Sequence, residues 1–344
     1  MTNQSVSRIV VLAPNWLGDV VMALPAIRDI RRHFASAHLT IAARPSVAKL
    51  FRAVPGIDDV LTFKGKKDET AQLKAGRFDT AILFPNSFRS AWIVRRAGIP
   101  QRWGYRADFR GPLLTTAVRR PKQRVHFGEY YQELVRTLGI ETGALTPAIE
   151  LPRSIIESAR TLLEQNGWTR DRPLIGIAPG AAFGHAKRWP AKRFAALISL
   201  AQQELGAACV LLGRDADRDA SQAIEEALKD NRPINLVGHT ELMSFMGVIA
   251  NCSALVSNDS GALHVAAAMG IPVVAIYGPT SEQFSRPLTS KEGAGDRVVT
   301  ISEDVFCRPC WLRDCPIDHR CMKRIPPERV YASLSRLLQQ ETHA

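Results

Sequence analysis

Short β-rich runs and amphipathic helical runs alternate along this chain in two successive series, and few architectures accept that pattern. The first series predicts strands over 8–13, 38–42 and 80–84 and helices over 19–34, 87–97 and 128–138. Val20, Leu24, Ile27 and Ile30 recur at helical spacing, and Gly139 closes the last helix. A connector over 141–172 carries a helix over 154–166 that Gly167 stops. The second series predicts strands over 174–178, 207–212, 234–237 and 272–277 and helices over 191–205, 216–229 and 241–250. Such alternation implies an α/β fold with parallel sheets covered by helices on both faces. Two series imply two doubly wound, Rossmann-like domains, expected over 1–165 and 166–330, with a terminal helix over 331–344. Ligands of doubly wound sheets sit at the carboxyl ends of the strands, so the cleft between the domains is the expected active site.

Charge is divided unevenly between these halves. Residues 1–150 hold 23 Lys and Arg against 12 Asp and Glu, while the whole chain of 344 residues has a formal net charge of +12. Almost all of the excess therefore lies in the first half, which points to an acidic partner: nucleic acid, an anionic membrane surface or a phosphorylated substrate. No nucleic-acid module and no aromatic interleaving of the basic runs is evident, so nucleic acid is not expected as a partner. No apolar run is long enough to span a bilayer. The run 9–13 is too short for a signal-peptide core, which leads to the expectation of a cytoplasmic protein.

The stretch Ser257-Asn258-Asp259-Ser260-Gly261-Ala262-Leu263-His264 lies between the apolar run 252–256 and the small-residue helical run 265–269. That reads as strand, tight turn and helix, where converging N–H groups and the helix dipole seat an anion. The alternative is that Asp259 or Ser260 only caps the helix. A second loop, Pro179-Gly180-Ala181-Ala182, leads into Lys187-Arg188-Trp189-Pro190, in which Lys187 can meet a phosphate as a point charge. Neither a Gly-Lys-Ser/Thr phosphate loop nor a G-x-G-x-x-G fingerprint is present, so P-loop and NAD chemistry are disfavoured. In the first half, Pro14-Asn15-Trp16-Leu17-Gly18-Asp19 follows the first strand. Gly18 allows a tight or positive-φ turn, and Asp19 is either a general base or an acid favoured by the helix dipole. Asp215-Ala216-Asp217 could hold a metal or cap a helix. Cys307, Cys310, Cys315 and Cys321, with His319 nearby, leave a structural zinc, two disulfides or free thiols open, at a distance in sequence from the phosphate loops.

Taken in order, these pieces resemble the ADP-heptose:lipopolysaccharide heptosyltransferases of glycosyltransferase family nine over nearly the whole chain. The carriers are Ala13-Pro14-Asn15-Trp16-Leu17-Gly18-Asp19, Ala23-Leu24-Pro25-Ala26, Phe84-Pro85-Asn86-Ser87-Phe88 and the two phosphate loops, with Tyr277-Gly278-Pro279-Thr280 after them. The resemblance implies a GT-B fold and an inverting transfer that needs no cofactor. It implies Asp19 as the catalytic base, Lys187 at the donor diphosphate, Asp259 near the donor sugar, and Ser260 and Gly261 at the phosphates, with Gly180, Ala181 and His264 beside them. The family often has Thr where this chain has Ser260, and both offer a hydroxyl. Asn86, Ser87, Arg89, Arg120 and His126 are the acceptor-side candidates, together with Arg28, Arg31, Arg32 and Arg106. The implied donor is ADP-heptose. The implied acceptor is the first heptose of a Kdo- and lipid A-linked inner core, met at the anionic cytoplasmic face of the inner membrane. A family member with another acceptor or donor is the nearer rival, and a salt-sensitive nucleic-acid binder the more distant one.

Such a transfer needs one carboxylate to take the acceptor's proton, and fixed donors to meet the charge that develops on the departing ADP. Asp19 on one side, and Lys187 with the N–H groups of 260–262 on the other, supply both.

Overall fold

A computed structural model describes residues 6–65, 68–228, 232–289 and 297–342. Its contacts divide the chain into units Met1–Glu150 and Leu151–Ala344.

In the first unit, β1 (Arg8–Leu12) buries every residue after Arg8, the mark of a strand covered on both faces. It pairs in parallel with β2 (His38–Ala43) and β4 (Thr80–Leu83). β3 (Asp59–Thr62), β5 (Gln101–Tyr105) and β6 (Thr116–Val118) complete a six-stranded sheet in the order β3-β2-β1-β4-β5-β6. The helices are α1 (Leu17–His33), α2 (Glu69–Ala75), α3 (Phe88–Arg96) and α4 (Phe127–Thr137). α1 and α4 are joined through buried Asp29, whose Oδ2 accepts from Gln132 Nε2 at 2.8 Å.

The second unit repeats the plan. α5 (Arg153–Gln165) precedes β7 (Leu174–Ala178), then α6 (Ala191–Leu205), β8 (Ala208–Leu211), α7 (Arg218–Ala227) and β9 (Ile234–Asn235). α8 (Leu242–Ala250), β10 (Ala254–Asn258), α9 (Gly261–Ala268), β11 (Val273–Tyr277), β12 (Val298–Ser302) and α10 (Pro327–Thr342) follow. The sheet order β12-β11-β10-β7-β8-β9 is the first sheet's order once the strands are counted from β7. Each sheet thus has one switch point, between β1 and β4 and between β7 and β10, where the connections leave in opposite directions and ligands collect.

The division falls at 150/151 rather than the expected 165/166, because α5 packs on α8. A Cβ built on Gly247 would lie 2.8 Å from both Ala159 Cβ and Ile155 O, and Asn251 Nδ2 donates to Ile156 O at 3.0 Å. The terminal helix begins at Pro327 rather than 331 and is no appendage, since Val330, Leu334 and Leu337 lie in the core of the second unit. Periodicity missed β3, β5, β6 and β12. These strands are short or only half-buried, so they carry polar residues at positions where a central strand shows an apolar run.

Candidate active site

β7 and β10 are neighbours at the switch point of the second sheet, and the two phosphate loops are their continuations. Asn258, wholly buried at the end of β10, binds the loops together. Its Oδ1 accepts from Trp189 N at 3.0 Å, and its Nδ2 donates to Pro179 O at 2.6 Å. This fixes the segment carrying Lys187, whose Nζ donates to Asp259 Oδ2 at 2.6 Å. Thr280 Oγ1, at the end of the following βα turn, donates to the same oxygen at 2.6 Å. The pair is largely withdrawn from water, with side-chain exposures of 13% for Lys187 and 5% for Asp259. An ammonium has three protons, so Lys187 keeps donors for a phosphate after satisfying Asp259, and Asp259 keeps Oδ1 for a ligand hydroxyl.

α9 begins at once beyond Asp259. Ser260 is its N-cap, with Oγ accepting from Ala262 N at 3.3 Å and lying 3.0 Å from Ser257 Oγ. The capping alternative therefore belongs to Ser260, while Asp259 is turned to Lys187 and Thr280. Gly261 opens the helix, and His264 is buried one turn further on. The first-turn N–H groups and the helix dipole put positive potential beside the Lys187–Asp259 pair.

Gly180 is required by close approach: a Cβ there would lie 2.3 Å from Asp217 Cγ. Ala181 beside it is buried. Asp217 is itself buried against Arg188 Nη2 at 3.4 Å, and its Oδ2 accepts from Arg214 N at 3.1 Å. Asp215 is exposed and pairs with Arg218. The two acids of Asp215-Ala216-Asp217 thus have separate partners, Asp215 in Arg218 and Asp217 in Arg188 and the Arg214 N–H. Phe183 meets two cations over its ring, with Lys187 Nζ 5.0 Å and Arg313 Cζ 5.5 Å from its centre.

The cysteine segment, far away in sequence, is folded onto these same loops. Ala186 N donates to Arg313 O at 2.8 Å and Trp311 N to Pro279 O at 3.0 Å. His319 Nε2 lies 2.6 Å from Ala186 O, and Arg308 Nε donates to Gly278 O at 2.8 Å. Cys307, Cys310, Cys315 and Cys321 are all thiols, as are buried Cys209 and Cys252. Among the described residues no three His, Cys, Asp or Glu side chains converge as a metal-ligand set.

In the first unit, the switch point lies between the loops after β1 and β4. Asp19 stands half-buried in the first turn of α1, whose N-cap is Trp16. Gly18 is helical and takes no positive φ, so the tight turn expected there is absent. Burial first, and the Asp19 carboxylate second, hold the Tyr131 hydroxyl well above its ordinary range. Asn86 Nδ2 donates to Tyr130 OH at 2.9 Å, and Tyr130 and Tyr131 meet edge to face at 5.8 Å. The charge of Arg120 is felt at Tyr130. Asn86 and Arg120 are thus gathered around Tyr130, next to the tyrosine that senses Asp19.

The other acceptor-side candidates are engaged by the chain itself. Ser87 Oγ caps α3 by accepting from Ser90 N, and His126 Nδ1 caps α4 by accepting from Gly128 N. Arg89 pairs with Glu69 at 2.7 Å. Arg28 binds Thr146 Oγ1, Arg31 binds Asp58 and Arg32 binds Glu141 O, because their positions on α1 face neighbouring segments of the fold.

Arg110 was not foreseen. It is wholly buried, and burial pulls its guanidinium down to about 10. It donates to Tyr105 O at 2.9 Å, Ser90 Oγ at 2.9 Å, Asn86 Oδ1 at 3.3 Å and also Pro85 O, and so fixes the Asn86 loop.

Thr280 stood in the Tyr277–Thr280 motif with no role assigned, and the role its contact gives it is testable. Thr280→Val keeps the shape and removes the donor to Asp259. It is expected to lower kcat/KM for the donor about ten-fold, the worth of a hydrogen bond to a charged group, whereas Thr280→Ser retains activity. Steady-state kinetics with varied donor will show activity kept in Thr280→Val and lowered in Thr280→Ser, which lacks the methyl group, if packing alone matters.

A family model described as glycosyltransferase family 9 (heptosyltransferase) matches residues 70–319. Lipopolysaccharide heptosyltransferase 2 of Escherichia coli strain K12 is 32% identical, over 97% of this chain and 99% of that protein. The solved structure of the E. coli ADP-heptose LPS heptosyltransferase II superimposes with a TM-score of 0.83 at 30% identity, covering 97% of this chain and 99% of that one. A family 9 glycosyltransferase from Veillonella parvula DSM 2008 also has a TM-score of 0.83, at 23% identity and covering 99% of each chain, and supports the fold alone.

Proposed function

Because this chain belongs to glycosyltransferase family 9, the heptosyltransferases, we propose that it moves L-glycero-D-manno-heptose from ADP-heptose to the first heptose of the lipopolysaccharide inner core. The chain is a glycosyltransferase with two doubly wound α/β units, as in the GT-B enzymes. The observation that carries the donor assignment is the Lys187–Asp259–Thr280 cluster at the amino end of α9, on the switch point of the second sheet.

In this reading the second unit takes the nucleotide sugar. Lys187 and the first-turn N–H groups of α9 meet the diphosphate, and they are already oriented when negative charge develops on the leaving ADP. Asp259, steadied by Thr280, offers Oδ1 to a heptose hydroxyl. Asp19 acts as general base and takes the proton from the acceptor hydroxyl as that oxygen attacks the anomeric carbon. The bond to ADP breaks as the new bond forms on the opposite face, and the configuration inverts. Asn86, Tyr130 and Arg120 hold the acceptor. The net basic charge of the first unit suits a phosphorylated, lipid-linked acceptor at the cytoplasmic face of the inner membrane. Among the described residues no helix is long and apolar enough to cross a membrane.

The test is transfer from ADP-heptose to an acceptor ending in a single heptose, with the product linkage read by NMR. Absence of transfer, or a product that retains the anomeric configuration, overturns the reading. In this reading Asp215 and Asp217 serve the arginines they pair with and the Gly180 loop, and the transfer proceeds without a metal there. Treatment with EDTA is expected to leave the initial rate unchanged. A large loss restored by magnesium contradicts this.

A further inference from the structure

In a parallel sheet the loops after neighbouring strands emerge at one edge. In the first unit the strands β1, β4, β5 and β6 are consecutive neighbours, and the segments that follow them carry aromatic and basic residues. Phe88 and Trp92, one turn apart on α3, are exposed and stack with ring centres 6.2 Å apart. Phe109, after β5, is 96% exposed.

The exposure of Phe109 is built in. Asp108 and Phe109 have φ of 45° and 55°, the left-handed region that bulky residues avoid. The chain is pinned on both sides of that strain. Asp108 Oδ2 accepts from Phe88 N at 2.8 Å, and buried Arg110 binds Tyr105 O, Pro85 O and Ser90 Oγ. The backbone strain is held by these bonds, while the exposed phenyl ring adds nothing to the core and, with Phe88 and Trp92, forms an exposed apolar feature open to a partner.

The same edge is basic. Arg106, Arg119, Lys122 and Arg124 are exposed in the segments after β5 and β6, and Asp108, the acid among them, already caps α3. Aromatic rings beside arginines and lysines match a bilayer surface, apolar just below the headgroups and anionic at them.

We propose that this edge docks on an anionic lipid bilayer, with Phe88, Trp92 and Phe109 entering the headgroup–acyl boundary and Arg106, Arg119, Lys122 and Arg124 on the lipid phosphates. The proposal deepens the reading of a lipid-linked acceptor and rests on it. The surface would hold the enzyme where that acceptor is anchored.

The experiment is co-sedimentation of the full chain with phosphatidylglycerol or phosphatidylcholine vesicles, using wild type, Phe109→Gly, Trp92→Ser and the double variant. Glycine accepts a positive φ, so Phe109→Gly is expected to melt no lower than wild type. Wild type is expected to bind phosphatidylglycerol vesicles and to release at high salt. Each single variant is expected to bind about ten-fold more weakly and the double variant about a hundred-fold. Turnover on a deacylated, water-soluble acceptor should be unchanged in all of them.

Three results overturn the proposal: equal binding to neutral vesicles, unaltered binding by the variants, or a parallel loss of turnover on the deacylated acceptor. The last means that the rings grip saccharide. If wild type transfers nothing from ADP-heptose yet binds vesicles through these residues, the docking surface stands and the transferase reading fails.

Discussion

Asp19→Ala is expected to lower kcat about a thousand-fold, within the range that a positioned general base contributes, while donor affinity and melting temperature stay at wild-type values. The separation of the two effects follows from where Asp19 sits. It is half-buried in the first turn of α1, it is not the N-cap, and its interaction with the helix dipole is worth about 0.5 kcal/mol. The buried face of α1, from Val20 to Ile30, is untouched. Asp19→Asn is expected to be as inactive, because an amide keeps the shape and cannot accept the proton. Single-turnover rates, ADP-heptose titration and thermal melting measure the three quantities separately. More than a tenth of wild-type turnover in either variant excludes Asp19 as the base. A large fall in melting temperature assigns it to structure.

Lys187→Met is expected to damage both stability and donor handling. The lysine is the ionic partner of Asp259, whose side chain is 5% exposed, and removing it leaves that carboxylate held only by Thr280. Breaking a buried pair from one side costs about 3 kcal/mol or more. The donor loses its positive charge at the diphosphate, which is expected to reduce kcat/KM by about a thousand-fold. Stability and function can be separated by adding Asp259→Asn to Lys187→Met. The neutral pair no longer buries an unpaired charge, so stability should return toward wild type while activity stays lost. Denaturant melts and donor-dependent kinetics of the two variants read this out. Kinetics unchanged in Lys187→Met remove the phosphate role. Activity that returns with stability in the double variant makes the lysine structural.

Residues that announce themselves locally were readable in the sequence. Asp259 and Ser260 directly follow β10, Asp19 opens the helix after β1 and Lys187 lies between β7 and α6, and strand-to-helix segments at the carboxyl edge are where doubly wound sheets bind ligands. The local signal also had limits. Gly18 looked like a turn glycine and is helical, and the acids of Asp215-Ala216-Asp217 looked paired and are separately engaged. Ser87, Arg89 and His126 have the chemistry of acceptor ligands, but two are caps and one is an ion-pair partner. A residue type shows what a side chain is able to bind and says nothing of which neighbour reaches it first.

By itself, the sequence determined the α/β class, both doubly wound series and the strand-to-helix segments that carry the candidate site residues. Those follow from apolar periodicity and small-residue turns, which act over a few residues. Only the tertiary structure decided that Asn258 joins two loops, that Lys187 and Thr280 share one oxygen of Asp259, that Arg110 supports Asn86, and that the cysteine segment lies on the phosphate loops. The physical reason is that these contacts join residues far apart along the chain. They exist only after the parallel strands have brought their carboxyl ends to one edge, where burial lets a single hydrogen bond or ion pair select among many possible partners.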